Sequence, residues 1–396
     1  MQRFIISLFL SFFLCFGTTP LAVWAGEGVS TAGAGQAIEA VDLAQHVDLS
    51  KMRLFLETLD QDVQQSLPSF SLSRIFEGLK SGTLDLDPGK VGRDILAFIG
   101  KEILKTAPLI GKLLVLAVLS ALLQQLQGAF GGSVGKLSQM LSYLVLLSLA
   151  MASFQAVMDI AQGAVDQMIG LMQALFPVML TLLLAMGNLA TAALFRPMVL
   201  ASLTFLATLL KTVILPLFFL GAVLRLFNQI SEQFKVTKLA GLLEFMGKVS
   251  LGLVMTLFIS LMTLQGVTGG VADGVALRTA KYSVDMIPVV GKFFKDSVEL
   301  LITSGLLLRN ALGLIAFLAL LIICLGPLVK ILAMLFVFKI SAALIEPLGE
   351  SHLADSLQDM AKSLTYIFGA VASVGVMFFI TIVVVVSTGN LSVMLR

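Results

Sequence analysis

Beyond Pro108 the chain alternates long apolar stretches with short polar ones. Five stretches contain no charged residue and are long enough to form a membrane-crossing helix: 113–135, 137–158, 167–195, 249–272 and 363–395. A helix needs about 20 mainly apolar residues to cross the hydrocarbon of a bilayer. Each of these stretches therefore predicts one span.

Two further apolar stretches are interrupted by charge. The first, 198–224, contains Lys211, and the second, 310–347, contains Lys330, Lys339 and Glu346. The second is too long for one span and has Gly326-Pro327 at its middle, where a helix is expected to end and turn. We interpret it as two spans, which gives about eight in total, with seven as the nearest alternative.

The first 25 residues have the pattern of a secretory signal peptide. Arg3 precedes the apolar stretch 4–16, and Val23-Trp24-Ala25 ends in the small residue that a signal peptidase requires. Cleavage after Ala25 is the prediction, and an uncleaved anchor helix is the alternative. Both place the following segment outside the cytoplasm.

Residues 26–106 form the water-compatible part of the chain, ahead of a multi-span domain at 107–396. This exported region begins with a Gly- and Ala-rich linker and turns helical from Asp48. Asp87-Pro88 predicts a helix start, since an acidic cap is followed by proline at the first helical position. The helix that follows has one apolar stripe, which suits either the membrane surface or the core of a small helical domain.

The segments between the predicted spans add amphipathic helices and a weak orientation signal. Residues 287–302 alternate an apolar face with a charged one, as an interfacial helix does, and 226–234 form a shorter version. With the exported segment outside, Asp159 and Asp166 are expected in an outer loop, and so are Arg225 and Lys248. The excess of positive residues on the inner side is therefore small.

The composition indicates that the apolar helices belong to a membrane protein. The chain is 58% hydrophobic and 13% charged, with a mean hydropathy of +1.00, whereas soluble domains carry about 25% charged residues. Lipid must replace water over much of such a surface. The fold class predicted is an all-α polytopic membrane protein.

Candidate chemistry is sparse, and we expect neither an enzyme nor a cofactor. The net charge of +2 without a basic stripe excludes a nucleic-acid binder, and Cys15 and Cys324 offer neither a disulfide framework nor a zinc site. Gly131 to Gly135 fits G-x-S-x-G but lies in a predicted turn with no histidine in reach. The glycines around 241–248 miss the spacing and the Ser or Thr of a phosphate loop.

What remains is charge within the apolar stretches, at Lys211, Lys330, Lys339 and Glu346. An ionisable group in lipid is unfavourable unless it finds a partner or reaches the interface. These residues are candidates to line a polar passage or to bind a partner's span. The alternative is that Lys330 reaches the interface and that neighbouring carbonyls satisfy Lys211.

Five strings between the spans are distinctive: KVTKLAGLLE (235–244), VADGVALRTAKY (271–282), IPVVGKFF (287–294), LLLRNALG (306–313) and KISAALIEPLGE (339–350). They resemble the stage III sporulation protein AE family, and the likeness runs from about Asp48 to Asn390 in the same order.

The resemblance implies a membrane subunit, permease-like or at the core, of a channel-like complex needed for endospore development. The implied location is the mother-cell membrane around the forespore (the outer forespore membrane). The implied partners are other stage III membrane proteins of the same operon and a forespore-side protein. We expect the segment with Asp273, Arg278, Lys281, Lys292 and Lys295 to contact them. An autonomous secondary transporter and a non-conducting scaffold are the alternatives.

Overall fold

The computed structural model describes residues 88–130, 132–185, 189–228, 236–285, 290–348 and 351–394. The predicted signal peptide and most of the predicted exported region, up to residue 87, lie outside the described residues. All elements described are helical: α1 (Pro88–Phe130), α2 (Gly132–Ala185), α3 (Leu189–Leu209), a π-helical turn (Leu210–Ile214), α4 (Leu215–Asn228), α5 (Thr237–Asp285), α6 (Val290–Ile345), a 3-10 turn (Glu346–Leu348) and α7 (Ser351–Met394).

The helices are longer than the sequence predicts because prolines do not end them. Helix α1 begins at Pro88, which confirms the predicted start, and continues through Pro108 across the predicted boundary at 106/107. Pro177 lies inside α2 and Pro327 inside α6. In hydrocarbon the backbone has no water to bond, so losing one helical hydrogen bond is less unfavourable than opening a turn.

The predicted turn at Gly326-Pro327 is therefore wrong. Helix α6 is continuous from Val290 to Ile345, and Ile323 and Leu328 on either side of the proline are buried. Helix α6 packs against α1, α2 and α7 along its length, and close to the proline Cys324 lies against Gly375 of α7. The predicted interfacial helix at 287–302 is, from Val290 onward, the first part of α6 rather than a separate element.

The predicted outer loop at Asp159 and Asp166 is also wrong, since both residues lie within α2. Arg225 and Lys248, predicted in outer loops, belong to α4 and α5. Taking each charge as the end of a span fails here because these side chains pair with one another or share one face of a helix.

Among the described residues, five helical stretches are long and apolar enough to cross a membrane: Tyr143–Thr181, Met198–Phe227, Thr237–Leu264, Leu312–Leu348 and His352–Val386. The predicted span at 113–135 runs through the end of α1 and into the first residues of α2, and many side chains there are not described. The described part of the chain is thus all-helical with several apolar helices, as expected for a multi-pass membrane protein.

Helices α6 and α7 make the most extensive contact and form the centre of the bundle. Gly375 allows the two to approach closely, since a Cβ there would lie 2.6 Å from the Sγ of Cys324. Gly313 does the same further along, with a Cβ position 2.5 Å from Val386 Cγ2. Small residues at such contacts are typical of helix packing in membranes, where dispersion contacts replace the hydrophobic effect.

The π-helical turn between α3 and α4 has a local cause. Pro216 lacks an N–H and its ring clashes with the carbonyl of Thr212 in a regular α-helix. An extra residue in the preceding turn relieves the clash, and the N–H of Leu215 donates to the carbonyl oxygen of Leu210.

Candidate functional site in the apolar layer

A charged cluster joins α4, α5 and α7 at the end of α4. Arg225 donates from Nε to Glu244 Oε1 at 2.5 Å and from Nη2 to Oε2 at 3.1 Å. Its Nη1 donates to Asp359 Oδ1 at 3.1 Å. The Nζ of Lys248 lies 3.8 Å from Glu244 Oε2 and 4.1 Å from the ring centre of Tyr366. We call these five residues the Arg225 cluster.

The Arg225 cluster is structural rather than ligand-binding. The side chain of Glu244 is 3% exposed and that of Arg225 16%, and the two positive and two negative charges cancel. Gly221 makes room for Glu244, since a Cβ there would lie 3.2 Å from Glu244 Cγ. A buried two-point arginine–carboxylate pair fixes geometry, so the cluster holds three helices together.

Tyr143 brings α2 to the same level. Its hydroxyl donates to the carbonyl oxygen of Leu226 at 2.8 Å and lies 3.3 Å from Ser356 Oγ. Leu226 is in the last turn of α4, where carbonyls have no partner within the helix. Charges and tyrosines at one level are typical of a membrane interface, so this level marks one boundary of the apolar layer.

Helix α2 carries a polar face through that layer. Its members recur at spacings of three, four and seven residues, which puts them on one side of the helix, and all are exposed except the half-buried Gln162: Ser148, Gln155, Asp159, Gln162, Asp166 and Gln173. We call this set the α2 polar face. The opposite side of α2 is large, apolar and buried, with Phe154, Met168 and Leu171.

The predicted candidate Lys211 lies outside α2 and pairs with a member of the α2 polar face. Lys211, in the π-helical turn, donates to Asp166 Oδ1 at 2.6 Å and to Oδ2 at 2.5 Å. The side chain of Lys211 is 27% exposed and that of Asp166 54%. On the same face Gln155 Nε2 donates to Asp159 Oδ1 at 3.1 Å. Charge and amide therefore line one exposed side of the bundle.

The other predicted candidates do not gather around Lys211. Lys330 is half-buried within α6, Lys339 is exposed near the end of that helix, and Glu346 is exposed in the 3-10 turn. Lys339 and Glu346, both in the described part of the chain, form no ion pair with each other, as their seven-residue spacing predicts.

The predicted partner-contact residues lie in α5 and α6, but their side chains are outside what the structure describes: Asp273, Arg278, Lys281, Lys292 and Lys295. Their role stays a prediction. In the described ranges, no group of three or more His, Cys, Asp or Glu side chains is arranged to hold a metal ion.

Sequence reasoning missed Asp166, Arg225, Glu244 and Asp359. The last three come from distant parts of the chain, and no local pattern joins them. The signal for the α2 polar face was present, because Gln155, Asp159, Gln162 and Asp166 follow helical spacing in the sequence. Dividing the chain at charged residues concealed it.

Five described helical stretches long and apolar enough to cross a membrane indicate a polytopic membrane protein. The family model of stage III sporulation protein AE matches residues 70–389. The curated stage III sporulation protein AE of Bacillus subtilis (strain 168) is 32% identical over 400 residues, covering 100% of both chains. The chain belongs to the stage III sporulation protein AE family, which confirms the resemblance. No solved structure matches it.

Proposed function

We propose that this protein is a membrane subunit, permease-like or at the core, of a channel-like complex that links mother cell and forespore during endospore development. It lies in the mother-cell membrane around the forespore, crosses it several times after an N-terminal signal peptide, and catalyses no reaction. Membership of the sporulation family supports the process, and the apolar helices support the membrane location.

The observation that carries the channel-like role is the α2 polar face. An Asp166–Lys211 pair and four uncharged polar side chains share an exposed side of helices that otherwise meet the apolar layer. Intramembrane ionisable residues are typical of transport pathways and of contacts between subunits. Such residues are unfavourable in lipid, so their presence indicates a role in transport or in subunit contact.

The partners we propose are the other stage III membrane proteins of the same operon and a forespore-side protein. They meet the segment that spans the end of α5 and the start of α6. Single cysteines are introduced as Asp273→Cys and Lys292→Cys in a Cys324→Ala background that still forms spores. Cross-linking in sporulating cells is expected to capture another member of the complex.

A matched control is Leu253→Cys, on the exposed apolar side of α5. It faces lipid and is expected to capture no protein. Recovery of only lipid or self contacts at positions 273 and 292 would contradict the proposed partnership. Spore counts of the same strains show whether each variant still functions.

A further inference from the structure

The α2 polar face lies at a depth where lipid is expected. The Arg225 cluster and Tyr143 mark one boundary of the apolar layer. At 1.5 Å per residue, Gln155, Asp159 and Gln162 lie about 18, 24 and 29 Å from Tyr143 along α2, and Lys211 lies about 21 Å from Arg225. The hydrocarbon is about 30 Å thick. Alongside, α7 has no charged residue from 363 to 394. Gln155, Asp159 and Gln162 are thus inside the layer, and the Asp166–Lys211 pair lies towards its far side.

Lipid is not a suitable neighbour for this face. Carboxylates, an ammonium group and side-chain amides all lose hydrogen bonds to water when they enter hydrocarbon. Yet Asp166 is more than half exposed, and Ser148, Gln155, Asp159 and Gln173 are exposed as well. Water or polar protein groups must cover them.

The helices packed on α2 expose a different surface. Helix α1 exposes Val115, Leu119 and Leu122, and α3 exposes Met198 and Phe205. Apolar surfaces next to a polar one suit a subunit that touches its neighbours through the former and faces water with the latter. Since the α2 polar face lies on the outside of a single copy, one copy does not enclose water along it, and several identical faces can.

The length of the face fits a membrane crossing. From Ser148 to Gln173 it extends about 37 Å at 1.5 Å per residue, enough to cover the hydrocarbon. Its charge is not balanced: Lys211 pairs with Asp166, whereas Asp159 accepts a hydrogen bond from the neutral Gln155. Each copy therefore contributes about one net negative charge.

We propose that the α2 polar face lines a water-filled passage across the membrane, closed by further copies of this same chain, and that the passage favours small cations over anions. This deepens the proposed function and depends on it for its role in the cell. Its test concerns water access and self-assembly, so the two can fail separately.

The first experiment measures water access along α2. Single cysteines replace Gln155, Asp159, Gln162 and Gln173 in the Cys324→Ala background, and the controls are Val249→Cys and Leu253→Cys on the exposed apolar side of α5. Membranes from sporulating cells are treated with a positively charged or a negatively charged methanethiosulfonate. Remaining thiols are counted by a polyethylene-glycol maleimide gel shift.

The expected result is a reaction at the α2 positions at least tenfold faster than at the α5 controls. The rate ratio of positive to negative reagent should exceed that of a free thiol, and Asp159→Asn combined with Gln162→Cys should lower it. Equal, slow reaction on both helices would overturn the passage. Fast reaction with the ratio of a free thiol would overturn the cation preference.

The second experiment identifies the neighbour. Val115→Cys and Phe205→Cys are combined in one chain and treated with a short bismaleimide, with each single variant as control. A ladder of dimers and higher multimers of this chain, confirmed with two differently tagged copies, is expected from the double variant. Cross-links only to a different protein, or only within one copy, would overturn closure by the same chain. The contacts probed at positions 273 and 292 are not involved.

Discussion

Helices α2 and α5 contain candidate spans of equal mean hydropathy, 1.8, yet they present opposite surfaces. Helix α5 buries its acidic residue, Glu244, and exposes Phe245, Leu253 and Leu257. Helix α2 buries Phe154 and Met168 and exposes the carboxylates of its polar face. The two spans have the same mean hydropathy, but α5 points its acidic side chain into the bundle and α2 points its acidic side chains outward.

The difference shows what an average hydropathy cannot report. A helix that faces lipid carries its large apolar side chains outward, as α5 does, and the exposed Thr256 and Ser260 of α5 donate to carbonyl oxygens of their own helix. The arrangement of α2, apolar inside and polar outside, is that of a helix facing water. The two helices therefore meet different surroundings in the same membrane, and substitutions on each can test this.

The largest effect on stability is expected from removing Arg225, the cation that pairs with the buried carboxylate of Glu244 on α5. Arg225→Met leaves the buried carboxylate of Glu244 without its two-point partner, and we expect a loss of about 3–5 kcal/mol in the free energy of unfolding. Denaturant unfolding in detergent micelles measures it. Lys248→Met, whose Nζ is 3.8 Å from the same carboxylate, should lose less.

A double variant sharpens the same point. Arg225→Met with Glu244→Leu removes both charges and should recover much of the lost stability, since a buried pair can often be replaced by apolar residues. A double variant as unstable as Arg225→Met alone would mean that shape, and not the unpaired charge, explains the loss.

The next largest effect on stability is expected at Gly247, where α5 approaches α4 closely. A Cβ at Gly247 would lie 2.6 Å from Phe218 Cε1, whereas one at Gly252 would meet nothing within 4 Å. Gly247→Ala should therefore destabilise the protein by about 1–3 kcal/mol through overpacking. Gly252→Ala should stabilise it by up to about 1 kcal/mol, because alanine favours the helix. Thermal unfolding of the two variants should show shifts of opposite sign.

Exchanging side-chain character between the two faces tests the comparison directly. Leu253→Gln on α5 puts an amide against lipid and should destabilise the folded protein by roughly 0.5–2 kcal/mol. Gln173→Leu on α2 should leave stability in lipid nanodiscs nearly unchanged but lower spore formation. Equal destabilisation by both would mean that the two faces have the same surroundings.

The smallest effect on stability is expected at Lys211. Because Asp166 is more than half exposed, Lys211→Met should change the free energy of unfolding by less than about 1 kcal/mol when water reaches the pair. Unfolding in nanodiscs checks this, with spore counts beside it. A loss of several kcal/mol would mean that the pair is dry, and α2 would then no longer differ from α5.

The sequence predicts those features that depend on local composition. Apolar stretches long enough to cross the hydrocarbon as helices predict an all-helical membrane protein. Asp87-Pro88 predicts the helix start observed at Pro88. Lys211 stands out because an isolated cation in an apolar stretch needs a partner. These inferences need only neighbouring residues.

The features that were wrong or missed depend on tertiary contacts. Pro327 predicts a turn by its chemistry alone, but α6, which packs on three helices, is continuous through it. The pairing of Arg225 with Glu244 and Asp359 joins residues far apart in the chain. As an isolated charge in the sequence, Asp166 predicts a loop between two spans. Its helical spacing and its pairing with Lys211 place it on a polar helix face instead.

The π-helical turn before Pro216 decides which way two cations point. In an uninterrupted α-helix Lys211 and Arg225, fourteen positions apart, would lie within about 40° of each other at 3.6 residues per turn. One inserted residue rotates everything beyond it by about a further 100°. Lys211 can thus reach outward to Asp166 while Arg225 turns inward to Glu244. A single proline, through the helical slip that it imposes, sends one positive charge to the surface and the other to the interior.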